Sequence, residues 1–118
     1  MCGIAGIISN RRNFEKDVKK LSNGLFSRGP DNSGFLIKNN ICLVHTRLSI
    51  IDLSNIANQP FYDESGIYAI VYNGEAYNFQ ELKKDLENKG RKFKSNSDTE
   101  VVLNGYLEYG YEFFDRIN

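Results

Sequence analysis

The stretch Met1-Cys2-Gly3-Ile4-Ala5-Gly6-Ile7-Ile8 opens the chain and places a cysteine directly after the first methionine. The apolar run over residues 3–8 predicts a β-strand. If Met1 is removed, Cys2 carries a thiol and a free α-amino group on the same carbon. A thiolate is a nucleophile and an N-terminal amine titrates at roughly pH 7.7–8.0, so one residue could supply both nucleophile and base. The alternative is that Cys2 is a small apolar residue that begins a buried strand.

The composition of the 118 residues is that of one globular domain, with 41% hydrophobic and 25% charged residues. Basic and acidic residues number 15 each, which argues against nucleic acid or an anionic membrane as the main partner. The sequence contains neither an apolar run of membrane-spanning length nor a secretory signal. We therefore expect a cytoplasmic protein in which Cys2 and Cys42 remain thiols.

Helical and extended patterns follow the first strand without strict alternation, which favours an α+β fold with a largely antiparallel sheet. Capping signals place the second helix between Asn78 and Gly90, and the third from the capping box Ser97-x-x-Glu100 to about Tyr109. The other predicted elements are a helix over 13–27, a hairpin of 35–37 and 41–44 around Asn39-Asn40, a short strand over 48–51, a loop over 52–66, a strong strand over 67–72, a short strand over 92–94 and a further helical turn over 111–117.

The dipeptide Asn73-Gly74 has two interpretations that the sequence leaves open. Asn-Gly is a strong signal for a tight hairpin turn, because both residues tolerate positive φ. Alternatively, the Gly74 N–H and the Asn73 amide could form an oxyanion hole, since glycine lets a ligand approach the backbone closely.

Four other polar residues also have a structural interpretation. Arg47 is either a surface charge or a fork that binds a ligand carboxylate. Asp98 lies in the capping box, where stabilising the start of a helix is sufficient reason for a carboxylate, and Glu75 either contacts a ligand amine or caps a turn. His45 is either structural or the base of a Cys-His pair. The sequence shows no cluster with metal-ligand spacing and no phosphate or dinucleotide loop.

Six short motifs follow one another along the chain, and together they indicate a family. They are Cys2-Gly3-Ile4-Ala5-Gly6, Arg28-Gly29-Pro30-Asp31, His45-Thr46-Arg47-Leu48-Ser49-Ile50-Ile51-Asp52, Asn58-Gln59-Pro60, Tyr72-Asn73-Gly74-Glu75 and Ser97-Asp98-Thr99-Glu100. The chain resembles the glutaminase domain of class II glutamine amidotransferases, which are N-terminal-nucleophile hydrolases, and within them the asparagine synthetase branch. The resemblance covers residues 1–118 and implies a layered αββα sandwich.

The resemblance also implies a reaction and a set of roles. L-Glutamine is hydrolysed to glutamate and ammonia with no metal or organic cofactor. Cys2 attacks the side-chain amide after loss of Met1, while Asn73 and Gly74 form the oxyanion hole. The substrate carboxylate binds Arg47, and its α-amino group binds two acidic residues, Glu75 and Asp98.

The end of the chain departs from the family pattern. Family members continue beyond the position of Asn118 into further strands and then into a synthetase domain that uses ATP and magnesium. We therefore expect an N-terminal part of the domain, with an incomplete sandwich and unpaired sheet edges that favour self-association. Two alternatives remain, namely an inactive glutaminase-like binding or structural remnant, and an ammonia donor for an acceptor other than aspartate.

Overall fold

A three-stranded antiparallel sheet forms the first half of the fold. The structure is a computed structural model that describes residues 2–11 and 13–118, so the predicted removal of Met1 lies outside the described residues. The strands are β1 (Gly3–Ile8), β2 (Asn32–Lys38) and β3 (Ile41–Arg47), in the order β1-β3-β2. They confirm the predicted first strand and the hairpin, whose turn contains Asn39 at φ 55°.

One face of this sheet is covered by helix α1 (Glu15–Leu25), which a short 3-10 turn, Phe26–Arg28, extends. The contact is a small apolar core around the buried side chains of Phe14, Cys42 and Val44. Because side chains alternate along a strand, His45 and Arg47 lie on the opposite face. That face is where the polar landmarks of the sequence collect.

The second half of the chain builds a separate apolar core. Helices α2 (Phe79–Asn88) and α3 (Asp98–Tyr109) pack together with a 3-10 segment, Gly110–Arg116. The buried side chains that form this core are Leu82, Leu86, Val101 and Phe113. Strands β4 (Phe61–Tyr62) and β5 (Ala69–Ile70) form a two-stranded antiparallel sheet. The α+β class and the antiparallel pairing are thus confirmed.

Three extended segments that the sequence predicts are shorter or absent. The strand expected over 67–72 is reduced to Ala69–Ile70. On either side of it, backbone N–H groups donate to side chains instead of to a neighbouring strand. The Tyr68 N–H donates to the Asp63 carboxylate at 2.9 Å, and the Tyr72 N–H donates to the Gln59 amide at 2.6 Å. Residues 48–51 and 92–94 find no strand partner, and the predicted loop over 52–66 contains a 3-10 turn, Asn55–Ala57, as well as β4.

The predicted helix caps are partly confirmed. Ser97 precedes α3 and its hydroxyl accepts a hydrogen bond from the Thr99 N–H at 3.1 Å. Glu100 does not complete the capping box, since its carboxylate turns back to accept from the Ser95 N–H at 2.7 Å. Asn78 precedes α2, yet its amide donates to the Arg116 carbonyl and ties down the C-terminal segment. Within the described ranges, we find no helix with the length and apolar character needed to cross a membrane.

Candidate active site

A cavity of about 290 Å³ lies beside the second face of the main sheet. Two of its walls matter for the site. The sheet wall consists of Cys2 and Arg47, and the loop wall consists of Asn73, Gly74 and Glu75. Asp98, at the start of α3, also lines this cavity. The structure therefore brings all six predicted site residues to one cavity.

Cys2 immediately precedes β1. Its sulfur is held at the cavity by the backbone of Leu48, the residue that follows β3. The Leu48 N–H donates to Sγ at 3.4 Å, and Sγ–H faces the Leu48 carbonyl at 3.7 Å. The Cys2 carbonyl accepts from the Arg28 guanidinium at 3.1 Å. The side chain is only half-buried, unlike Cys42, which is fully buried. Cys42 packs in the core beside Phe14 and Val44, where burial raises the pKa of its thiol and nearby Asp17 raises it further.

Arg47 is buried, with 7% of its surface exposed, so the surface-charge interpretation is wrong. Its Nη1 donates to the Ser54 carbonyl at 2.8 Å and to the Asn58 side chain at 2.6 Å. Its Nη2 donates to the Asp52 carbonyl. A guanidinium has five N–H groups, so Nε–H and one Nη2–H keep no partner among the residues that the structure describes. Arg47 thus holds the 52–58 loop and retains two donors.

The loop wall is not a hairpin turn. A type I′ turn needs positive φ at both central residues, whereas neither Asn73 nor Gly74 has positive φ and no strand follows them. A side chain would crowd the loop wall here, because a Cβ at position 74 would lie 2.7 Å from the Tyr72 hydroxyl oxygen, so one of the two would have to shift. The three residues of the loop wall are exposed at the cavity rim.

Two carboxylates approach each other across the cavity rim. Asp98 is buried, and its Oδ2 accepts from the Ala76 N–H at 3.1 Å, directly after the loop wall. Burial raises the pKa of Asp98, the Glu75 carboxylate raises it further, and the N–H groups of Ala76 and Thr99 oppose both. Across residues 2–11 and 13–118, neither carboxylate forms an ion pair. The arrangement leaves negative charge available for a cationic group.

His45 does not pair with Cys2. The ring is fully buried, does not line the cavity, and neither nitrogen has a hydrogen-bond partner within the described part of the chain. Burial lowers the pKa of His45 to about 4. The nearby Tyr72 backbone raises this pKa, and the positive charge of Arg47 lowers it. A neutral, enclosed ring supports the structural interpretation of His45 over the Cys-His pair.

Several residues that position the site were missed by sequence reasoning. Leu48 contributes its backbone to the Cys2 sulfur, Tyr72 packs on Gly74, and Gln59 bridges Tyr72 to Thr99. The one signal for Gln59 was its place in the Asn58-Gln59-Pro60 motif. No group of three or more His, Cys, Asp or Glu side chains in residues 2–11 and 13–118 is arranged to hold a metal ion.

Comparisons with known proteins agree on one family. A family profile described as a glutamine amidotransferase domain matches residues 1–118. The chain is 38% identical over 122 residues to glutamine-hydrolyzing asparagine synthetase 1 of Bacillus subtilis (strain 168), covering 99% of the chain and 19% of that protein. It is 37% identical over 121 residues to glutamine-hydrolyzing asparagine synthetase 1 of Arabidopsis thaliana, and 39% identical over 121 residues to the glutamine-hydrolyzing asparagine synthetase of Zea mays. Each of these two alignments covers 100% of the chain and 20% of the relative.

The chain therefore spans about one fifth of the length of these curated relatives. The profile match extends over all of its residues, and the cavity gathers the residues that the family resemblance singled out. On these grounds the chain belongs to the glutamine amidotransferase domain family.

Proposed function

We propose that this chain hydrolyses the side-chain amide of L-glutamine to glutamate and ammonia. The observation that carries the proposal is that one cavity, of about 290 Å³, is lined together by a thiol, an arginine, two carboxylates and an Asn-Gly pair. The family membership supports it independently. Each of these groups has a complement in glutamine.

The charges of the cavity suit a zwitterionic amino acid. Arg47 keeps two N–H donors beyond those that hold the 52–58 loop, and these would bind the substrate carboxylate. Asp98 and Glu75 would bind the α-amino group. Burial raises the pKa of Asp98, and the positive charge of the bound amine would lower it. Glutamine would then lie with its side-chain amide toward Cys2.

The chemistry follows from these positions. The Cys2 thiol passes its proton to its own α-amine, and the thiolate forms a bond to the side-chain carbonyl carbon. The Gly74 N–H and the Asn73 amide stabilise the resulting oxyanion. Collapse breaks the C–N bond, and the α-amine returns the proton to the departing ammonia. Water then cleaves the Cys2 thioester, which releases glutamate and restores the thiol.

The wider assignments rest on the relatives. Their names describe glutamine-hydrolyzing asparagine synthetases, so we infer that the ammonia is destined for a synthetase domain of that type, which would use ATP and magnesium. An acceptor other than aspartate is the alternative. We also infer an N-terminal-nucleophile αββα sandwich, a cytoplasmic location and self-association through strand edges. Sedimentation at high concentration tests the last of these, and a strictly monomeric profile would contradict it.

The decisive experiment is intact-protein mass spectrometry with a diazo-ketone analogue of glutamine, which alkylates an activated thiol. We expect loss of Met1 and one adduct on Cys2, blocked by excess glutamine. Ammonia release from glutamine should accompany it. A folded protein that has lost Met1 and takes up no adduct would contradict the proposal and favour an inactive remnant.

A further inference from the structure

We propose that Gln59 is a positioning residue that fixes the loop wall against the start of α3. This inference rests on the proposed glutamine hydrolysis, since it assigns a role within the same site. It concerns distances between groups rather than contact with the reacting atoms.

The Gln59 side chain joins the two segments directly. Its Oε1 accepts from the Tyr72 N–H at 2.6 Å, one residue before Asn73. Its Nε2 donates to the Thr99 hydroxyl at 3.1 Å, one residue after Asp98. One planar amide therefore holds both the neighbour of the oxyanion-hole pair and the neighbour of the amine-binding carboxylate.

The backbone of Gln59 is itself fixed to the main sheet. A Cβ at Gly34 on β2 would collide with the Gln59 carbonyl oxygen, so the two backbones are in close contact. Gly34 pairs with His45 on β3, the strand that ends at Arg47. Gln59 therefore links the main sheet, the loop wall and α3 through one residue.

Burial makes this bridge specific. Gln59 is 7% exposed and Thr99 is 3% exposed, so water cannot readily replace either partner. An unpaired buried polar group is costly, and removing the Gln59 amide would leave the Tyr72 N–H and the Thr99 hydroxyl unpaired. An amide also offers an NH2 donor group and a carbonyl acceptor, and these two partners need one of each.

A second link joins the same segments but depends on a substrate-binding group. The Ala76 N–H donates to Asp98 Oδ2, and the glutamine amine would share that carboxylate. The Gln59 bridge uses no atom assigned to substrate binding. It therefore keeps the loop wall in place while Asp98 exchanges partners.

The test compares two alkylating agents on Gln59→Leu and on the matched control Gln80→Leu, where Gln80 is exposed on α2. Iodoacetamide reports thiolate access alone, whereas the diazo-ketone needs glutamine-like binding as well. We expect Gln59→Leu to lose about tenfold to a hundredfold in diazo-ketone rate, since small misplacements carry such costs. Its iodoacetamide rate and both rates of Gln80→Leu should match those of the unmodified chain.

Substitutions at Thr99 probe the other end of the bridge. Thr99→Val should lose part of the diazo-ketone rate, while Thr99→Ser, which keeps the hydroxyl, should restore it. The double variant Gln59→Leu/Thr99→Val should be no slower than Gln59→Leu, because both changes break one bridge. Thr99→Val also serves if Gln59→Leu does not fold.

Amide NMR shifts give a readout that does not require activity. We expect Gln59→Leu and Thr99→Val to move the amide signals of Asn73, Gly74 and Asp98. If these signals stay in place, or if the diazo-ketone rate of a folded Gln59→Leu is unchanged, the positioning role is wrong. An unmodified chain that never reacts with the diazo-ketone would contradict the proposed function, while the amide shifts would still decide the role of Gln59.

Discussion

The sheet wall and the loop wall face one cavity but are held in place by different means. Cys2 and Arg47 stand at the ends of strands whose ladder pairs six residues of β1 with β3 and seven residues of β2 with β3. The loop wall has no ladder. Its flanking amides, at Tyr72 and Ala76, are each held by one side chain, Gln59 and Asp98. A ladder of backbone hydrogen bonds tolerates side-chain changes, whereas two isolated hydrogen bonds to side chains do not.

The largest effect should come from the sheet wall's own chemistry. Cys2→Ala should abolish ammonia release and diazo-ketone labelling while leaving the fold intact, because the β1–β3 ladder uses backbone atoms. Ammonia assays and circular dichroism measure the two properties. Cys42→Ala is the matched control, and it should keep activity at some cost in stability, since Cys42 lies in the core. Ammonia release that survives in Cys2→Ala would remove the catalytic assignment.

On the loop wall, Gly74→Ala should be almost as damaging. The added methyl group would lie 2.7 Å from the Tyr72 hydroxyl, so either the ring or the oxyanion-hole segment must move. Alanine keeps the backbone N–H, but a displaced donor forfeits stabilisation whose complete loss typically costs about 10²–10³ in rate. Steady-state kinetics should show this as a fall in kcat with a smaller change in KM. Normal kcat in this variant would show that the loop wall is more adaptable than its contacts indicate.

Acid should destabilise the folded chain through His45. The pKa of buried His45 is lowered from 6.5 to about 4. The unfolded chain therefore binds a proton first as the pH falls, and stability is lost between about pH 6.5 and 4. The shift corresponds to roughly 3 kcal/mol.

Urea unfolding across that pH range measures this loss. His45→Leu cannot titrate and should give a flatter pH profile, with labelling of Cys2 preserved at neutral pH. An equally steep loss in His45→Leu would assign the acid sensitivity to other groups. Loss of Cys2 labelling in His45→Leu would support the Cys-His pair instead.

The smallest effect should come from the helix behind the sheet wall. Gly24 lies within α1, and a Cβ there would meet nothing within 4 Å. Gly24→Ala should stabilise the fold by about 0.5–1 kcal/mol, because alanine loses less conformational entropy in a helix. Thermal unfolding measures the gain, and site kinetics should not change. A lower melting temperature would show that this position is packed after all.

The same contrast explains what the sequence could predict. Periodicity locates β1, the β2–β3 hairpin and all three helices, because each depends on local or repeating signals. The strand predicted over 67–72 is largely wrong because its apolar residues find strand partners at Ala69–Ile70 alone. A local sequence pattern cannot reveal that the backbone N–H groups of Tyr68 and Tyr72 donate to the side chains of Asp63 and Gln59.

The resemblance to a known family singled out the six candidate site residues, and the structure brings them to one cavity. The contacts that support them could not be predicted from the sequence. Gln59 is a single polar residue in an irregular segment, and its two partners are 13 and 40 residues away. Distances of this kind depend on the tertiary fold, which is why the sequence left both interpretations of Asn73-Gly74 open.

The three hydrogen bonds that Arg47 makes to the 52–58 loop complicate the interpretation of mutants. A lysine has one ammonium group and cannot reproduce a planar fork that reaches three oxygens. Any substitution of Arg47 changes the loop's conformation and the proposed carboxylate contact together. Lost activity in an Arg47 variant is therefore not a measure of substrate affinity. Changes to the substrate, such as glutamine analogues without the α-carboxylate, isolate that contact while the loop stays intact.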